Sequence, residues 1–129
     1  EARPDYAEAH NNLGVALDYL GRFAEAIGHY RQAVAINPDN FSARVNLGIA
    51  LLRSGATDKG IESLRDAQQL KPTDLAVLDR LAAAYASIAR FDVAARYAQA
   101  AFERALAGGN KALAQSLRAR LEEYQLQAK

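Results

Sequence analysis

Displaced by 34 positions, the chain falls back into register with itself. Leu13-Gly14 lies over Leu47-Gly48, Ala33 over Ala67, and Asn37-Pro38 over Lys71-Pro72. One more step takes Leu47-Gly48 to Leu81-Ala82, and one step back takes Pro38 to Pro4. Nothing else in the sequence restricts the fold as much. A unit of this length is one supersecondary element that cannot bury its own apolar face and must stack on its neighbours. The register defines three units, 7–40, 41–74 and 75–108.

Each unit divides into two helical patterns. The first halves are 7–20, 41–54 and 75–88; the second are 23–36, 57–70 and 91–107. Gly21 and Gly55 separate them in the first two units, and Ala89 in the third. Asn37-Pro38 and Lys71-Pro72 end the second halves, because a residue before proline is pushed out of the helical region. Asp39/Asn40 and Thr73/Asp74 then offer side-chain oxygens to the free amides of the next helix. Enrichment in Ala, Leu and Arg, with only 3 prolines, agrees with an all-α chain.

The third unit has Leu106 where the closing proline is expected and runs on to Gly108-Gly109. Asn110 can cap a last helix over about 110–127. Its apolar residues Leu113, Leu117, Leu121 and Tyr124 make one narrow stripe among Lys111, Gln115, Arg118, Arg120, Glu122, Glu123 and Gln125. Such a helix seals the end of an array, so 109–129 reads as a capping segment and the chain as seven helices. At the other end, residues 1–6 read as the tail of a preceding repeat, with Pro4 in its closing slot. The chain has no methionine, even at position 1. The expectation is therefore a C-terminal piece of a longer protein, with further repeats before Glu1 and Lys129 near the true end.

These residues resemble the tetratricopeptide repeat family, whose pattern is W-x2-L-G-x2-Y, then A, F, A and P. The first unit gives His10, Leu13, Gly14, Leu17, Ala26, Tyr30, Ala33 and Pro38. The second gives Arg44, Leu47, Gly48, Leu51, Gly60, Leu64, Ala67 and Pro72. The third gives Leu78, Leu81, Ala82, Tyr85, Ala94, Ala98 and Ala101. The resemblance implies an α-solenoid of antiparallel helical hairpins in a right-handed superhelical stack, used as a protein-binding scaffold. Gly14, Gly48, Ala26 and Gly60 let paired helices approach, and Leu17, Tyr30, Leu51 and Leu64 fill the seam.

A wheel of about 100° per residue puts unit positions 2, 5, 6, 9, 12 and 13 of each first helix away from the hairpin seam. In an array this side lines the concave surface. The candidate peptide-binding residues are Asn11, Asn12, Val15 and Tyr19, then Val45, Asn46, Ile49 and Arg53, and Arg80 in the third unit. Val45, Ile49 and Leu52 read as an apolar strip flanked by amides and guanidinium groups, suited to peptide recognition. Asn12 and Asn46 share one unit position, and Arg80 takes it in the third. An amide donates and accepts, so a ladder of them can hold a peptide backbone of any sequence. This is similar to the asparagine ladder of O-linked N-acetylglucosamine transferase repeats, which the wording Tyr6-Ala7-Glu8-Ala9-His10-Asn11-Asn12-Leu13-Gly14 also resembles. No glycosyltransferase segment is present, so no activity is implied. The carboxylate clamp of chaperone-binding tetratricopeptide domains is matched only by Asn46 and Arg80. Asn11, Val15 and Ala76 stand where Lys, Asn and Lys belong.

No enzyme, cofactor or metal is expected. The chain has no cysteine and no phosphate loop, nucleophile elbow or His-Glu-x-x-His. His10 and His29 lie on different helices at variable positions and read as exposed or satisfied side chains. A net charge of +1 gives no field for nucleic acid, and no apolar run reaches the length of a membrane span. No targeting segment stands in these residues. The expected partner is a protein or peptide. Two other readings remain: end-to-end self-assembly through the unsealed first hairpin, and an array that recruits substrates for a larger enzyme.

Overall fold

The computed structural model describes residues 4–129, and the described residues form seven helices and no strand. They are α1 (Pro4–Tyr19), α2 (Phe23–Ile36), α3 (Phe41–Arg53), α4 (Thr57–Leu70), α5 (Leu75–Ser87), α6 (Phe91–Ala107) and α7 (Lys111–Gln127). The all-α helical-repeat class expected from the register is observed. The expected tail 1–6 is different in its second half. Residues 4–6 extend α1, and Pro4 opens it, a place proline suits because a first-turn residue needs no N–H donor. Residues 1–3 lie outside the described residues.

The signals that bound the helices act as their chemistry requires. α2 and α4 stop just ahead of Asn37-Pro38 and Lys71-Pro72. Asn40, Asp74 and Asn110 cap α3, α5 and α7 by accepting from the amides of Ala43, Val77 and Leu113. Within hairpins the chain turns through a left-handed residue, at Gly21 (φ 79°) and Gly55 (φ 90°). Ala89 does the same at φ 60° despite its Cβ, the one strained place of this kind outside glycine among the described residues.

The chain divides into two compact units, one ending at Leu70 and the other Lys71–Lys129. In the first, α1 pairs with α2 and α3 with α4. The pairs cross where a side chain is missing. A Cβ added to Gly14 would stand 2.5 Å from Cε1 of Tyr30. One on Gly48 would stand 2.7 Å from Cγ of Leu64, and one on Gly60 2.8 Å from Cγ of Leu52. Leu17, Ala26, Tyr30, Leu47, Ala50 and Leu51 form the core that joins the two hairpins. Arg44, in the slot the repeat pattern gives to tryptophan, donates to the Pro38 carbonyl and to Asp66 of α4, 3.2 Å away.

In the second unit α6 presents a ridge of buried alanines, Ala94, Ala98, Ala101 and Ala105. α7 lays Ala114, Leu117 and Leu121 against it and against Leu78 and Ala82 of α5. Arg120 of α7 donates to Asp79 of α5 at 2.7 Å. Each buried leucine contributes about 1.5–3 kcal/mol, and the polar remainder of α7 faces water.

Two substitutions separate packing from backbone strain. Gly48→Ala is expected to lose about 1–3 kcal/mol by overpacking against Leu64, despite alanine's better helix propensity. Ala89→Gly is expected to gain about 0.5–1 kcal/mol by releasing the left-handed strain. Urea unfolding of each variant beside the parent measures both.

Candidate peptide-binding face

The first helices α1 and α3 are tied side by side by polar bridges. Asn11 donates from Nδ2 to Oγ of Ser42 at 3.1 Å, and Asn46 donates to Oδ1 of Asn11 at 3.0 Å. Arg53 donates to the Asp18 carboxylate, its guanidinium lying 4.2 Å above the Phe23 ring centre. Asp18 also accepts from the Tyr30 hydroxyl at 2.6 Å. The network Phe23–Arg53–Asp18–Tyr30 therefore joins α1, α2 and α3.

These bridges sort the candidate residues. Asn11 is 8% exposed and turns into the seam between α1 and α3 rather than toward a ligand. Its position on the wheel borders the neighbouring first helix, and a buried amide must find partners there. Asn46 is half-buried and spends one N–H on Asn11, which leaves its oxygen and second N–H. Arg53 is held by Asp18 and Phe23. Leu52, read as part of the strip with Val45 and Ile49, instead lies over Gly60 of α4.

What remains on the α1–α3 face is exposed or half-exposed. Tyr19 is 93% exposed and Val15 47%. Asn12 is exposed and makes no side-chain hydrogen bond among the described residues, and Val45 and Ile49 are half-buried beside Asn46. Arg80 is exposed on α5, in the second unit. The face thus offers an apolar floor, the amides of Asn12 and Asn46, and a tethered guanidinium. A hollow of about 500 Å³ lies elsewhere, between α2 and the α3–α4 turn, lined by Ile27, Arg31, Leu51, Ala56 and Lys59 among others.

The two histidines, separate in the sequence, meet in the first hairpin. Nδ1 of His10 lies 3.0 Å from Nδ1 of His29, and the rings stack at 5.3 Å. One ring donates and the other accepts, so each satisfies the other. Among the described residues no three His, Cys, Asp or Glu side chains gather to hold a metal ion. No described helix is long and apolar enough to cross a membrane.

Alternating pairs of antiparallel helices in 34-residue register define a helical-hairpin repeat protein. Tetratricopeptide repeat family models match residues 7–40 and 29–62. The chain carries tetratricopeptide repeats over 7–62. A search of the curated proteins found no match. Among solved structures, the chain is similar to the TPR2B domain of yeast Sti1 in a complex with pHsp70. The identity is 17% and the TM-score 0.84, over 95% of this chain and 98% of that one. It is also similar to PcrH in complex with the chaperone binding region of PopD, at 17% identity and TM-score 0.87, over 98% and 96% of the two chains. MamA is 26% identical with a TM-score of 0.78, over 83% of this chain and 63% of its own, so this chain spans less than two thirds of MamA.

Burial, and then the bond to Asp18, push the Tyr30 hydroxyl well above the usual tyrosine range. A group whose folded pKa is raised contributes stability below its unfolded value, about 10, and that contribution is lost as pH rises through the folded value. Stability is therefore expected to fall above about pH 10, where the unfolded chain alone releases this proton. Tyr30→Phe should cost about 1 kcal/mol at neutral pH and flatten the alkaline decline. Urea unfolding at pH 8 and pH 10.5 for parent and variant tests both effects.

Proposed function

We propose that this chain is a protein-interaction scaffold that holds an extended segment of a partner on the α1–α3 face. Asn12 and Asn46 take the partner's backbone, and Val15, Tyr19, Val45 and Ile49 its apolar side chains. Arg53 adds positive charge for an acidic or carboxylate group. Asn11 acts behind this surface, fixing Asn46 in place. The observation that carries the reading is the exposure of Tyr19 and Val15 beside an unengaged Asn12, on a helix anchored by buried Ala7, Gly14 and Leu17. Large apolar side chains clustered in water mark interaction surfaces, and rigid neighbours reduce the ordering cost of binding. Two structural relatives with this fold, Sti1 TPR2B and PcrH, were solved with a segment or form of another protein.

The face is built for binding rather than for a reaction. Its free polar groups are the Asn12 and Asn46 amides and the Tyr19 hydroxyl, with the Arg53 guanidinium held by Asp18, a set suited to hydrogen-bonding a peptide. An array that presents substrates to a larger enzyme would use the same face.

The test is selection of binders from a random linear peptide library, with affinity measured by fluorescence anisotropy. Asn12→Ala/Tyr19→Ala is expected to weaken a selected peptide by roughly 10-fold or more, about 1.4 kcal/mol. The melting temperature should not change, since both side chains are exposed. Arg31→Ala/Lys59→Ala, at the hollow beside α2, should bind as the parent does. Loss in the second variant with full binding in the first would overturn the assignment of the face.

A further inference from the structure

The α1–α3 face continues toward the start of α1 in a side chain that the proposed function does not use. Glu8, Asn12, Val15 and Tyr19 follow one another at spacings of 4, 3 and 4, which puts them in one line along the helix. Ser42, Asn46, Ile49 and Arg53 repeat that line on α3, 34 positions further on. Asn11–Asn46 and Asp18–Arg53 both pair at an offset of 35, so the two lines run side by side in the same direction. One end of the face therefore holds Glu8 and Ser42, and the other Tyr19 and Arg53. Glu8 is exposed and pairs with no cation among the described residues. Its openness belongs to the repeat: Ser42, at the same unit position behind the packed α1–α2 hairpin, is exposed as well. Nor does Glu8 serve the helix itself. α1 opens at Pro4, so Glu8 stands beyond the first turn, where an acid would complement the free amides.

We propose that these two ends give the face a polarity, so that the segment it holds sets a basic residue over Glu8 and an acidic residue or carboxylate over Arg53. The inference rests on the α1–α3 face being the binding site. A lysine or arginine over Glu8 completes an ion pair without breaking one in the free protein. At the other end the bond to Asp18 comes from Nη2 of Arg53, which leaves further N–H donors of the fork for an incoming acid. Its place above Phe23 holds those donors in position. Ten residues separate Glu8 from Asp18, about 15 Å along the helix axis. An extended chain rises about 3.3 Å per residue and alternates its side chains, so roughly five residues cover that length, and the first, third and fifth face the helices. Basic, apolar and acidic side chains at those places match Glu8, the Val15–Ile49 floor and Arg53. A chain running either way meets the same spacing, provided that its basic end lies over Glu8. Complementary charge of this kind selects partners and fixes their register more than it adds affinity.

Peptides selected on the parent from the random linear library provide the test, keeping as ligands of the face those that Asn12→Ala/Tyr19→Ala weakens. These are expected to carry a lysine or arginine and, about four positions away in either direction, an acidic residue or the C-terminal carboxylate. Glu8→Gln should weaken them roughly 2- to 5-fold, the range of an exposed ion pair, and by less at high salt. Replacing the peptide's own acidic residue by glutamine should do the same while leaving the packing of Arg53 intact. Glu8→Lys should come to prefer a peptide whose basic residue is exchanged for glutamate. The melting temperature should stay that of the parent, since Glu8 is exposed. Ligands of the face that lack a basic residue, or that Glu8→Lys binds as well as the parent does, would refute the polarity and leave the face as the site. A selection with no peptide sensitive to Asn12→Ala/Tyr19→Ala would instead remove the reading of the face, and this inference with it.

Discussion

The close crossing of paired helices is the constraint from which the rest of the first unit follows. Gly14 admits the ring of Tyr30, and Gly48 and Gly60 admit Leu64 and Leu52. With a side chain at these points the hairpins would have to separate by a few tenths of an ångström or more, and the core between them would open. The crossing also sets the polar network. Tyr30 reaches Asp18 because its ring lies flat against Gly14, and Asp18 can then hold Arg53 of the next hairpin. A missing Cβ on α1 is thus linked through three side chains to the position of a guanidinium on α3.

The hairpins were legible because their signals are local or strictly periodic. Proline after Asn37 and Lys71, glycine at 21 and 55, and capping Asn40, Asp74 and Asn110 each act within a few residues of where they stand. The lateral bridges were not legible in the same way. Asn11–Asn46 and Asp18–Arg53 both span 35 positions, one more than the repeat. Aligning units at 34 compares equivalent residues, but side chains that touch across neighbouring first helices are offset by one. A register of 35 would have set Asn against Asn and Asp against Arg. It would have placed Asn11 in the seam rather than on the binding face. The histidine pair escaped for a similar reason, since an antiparallel hairpin joins residues whose separation depends on distance from the turn.

The third unit shows how far the pattern bends while the packing rule holds. Ala82 stands where the other units have glycine, and α6 answers with alanines at 94, 98, 101 and 105. Close approach is kept by trimming the second helix instead of the first. Without a closing proline, α6 runs three residues longer than α2 or α4, 17 against 14. Its last turns support α7, whose Leu117 and Leu121 are buried and whose Arg120 pairs with Asp79. That ion pair is partly exposed and contributes little to stability. Its value lies in fixing the rotation of α7 while leucine burial supplies the attraction.

α1 divides its circumference among four sets of side chains. Ala7, Gly14 and Leu17 face α2, and Asn11 and Asp18 turn toward α3. Asn12, Val15 and Tyr19 form the open face beside α3, and Tyr6, Ala9, Leu13, Ala16 and Leu20 look outward. Only one charged side chain among residues 6–20, Glu8, stands on the exposed part of the helix. A helix kept in water for its own sake would carry charge there, as α7 does. The equivalent positions on α3 and α5 are buried where α1 is open, and the same residue types recur at them. The outward stripe is therefore repeat core in composition and surface in exposure. An adjacent helix lowers the free energy of such a face by removing it from water, whatever is bound on the face beside it.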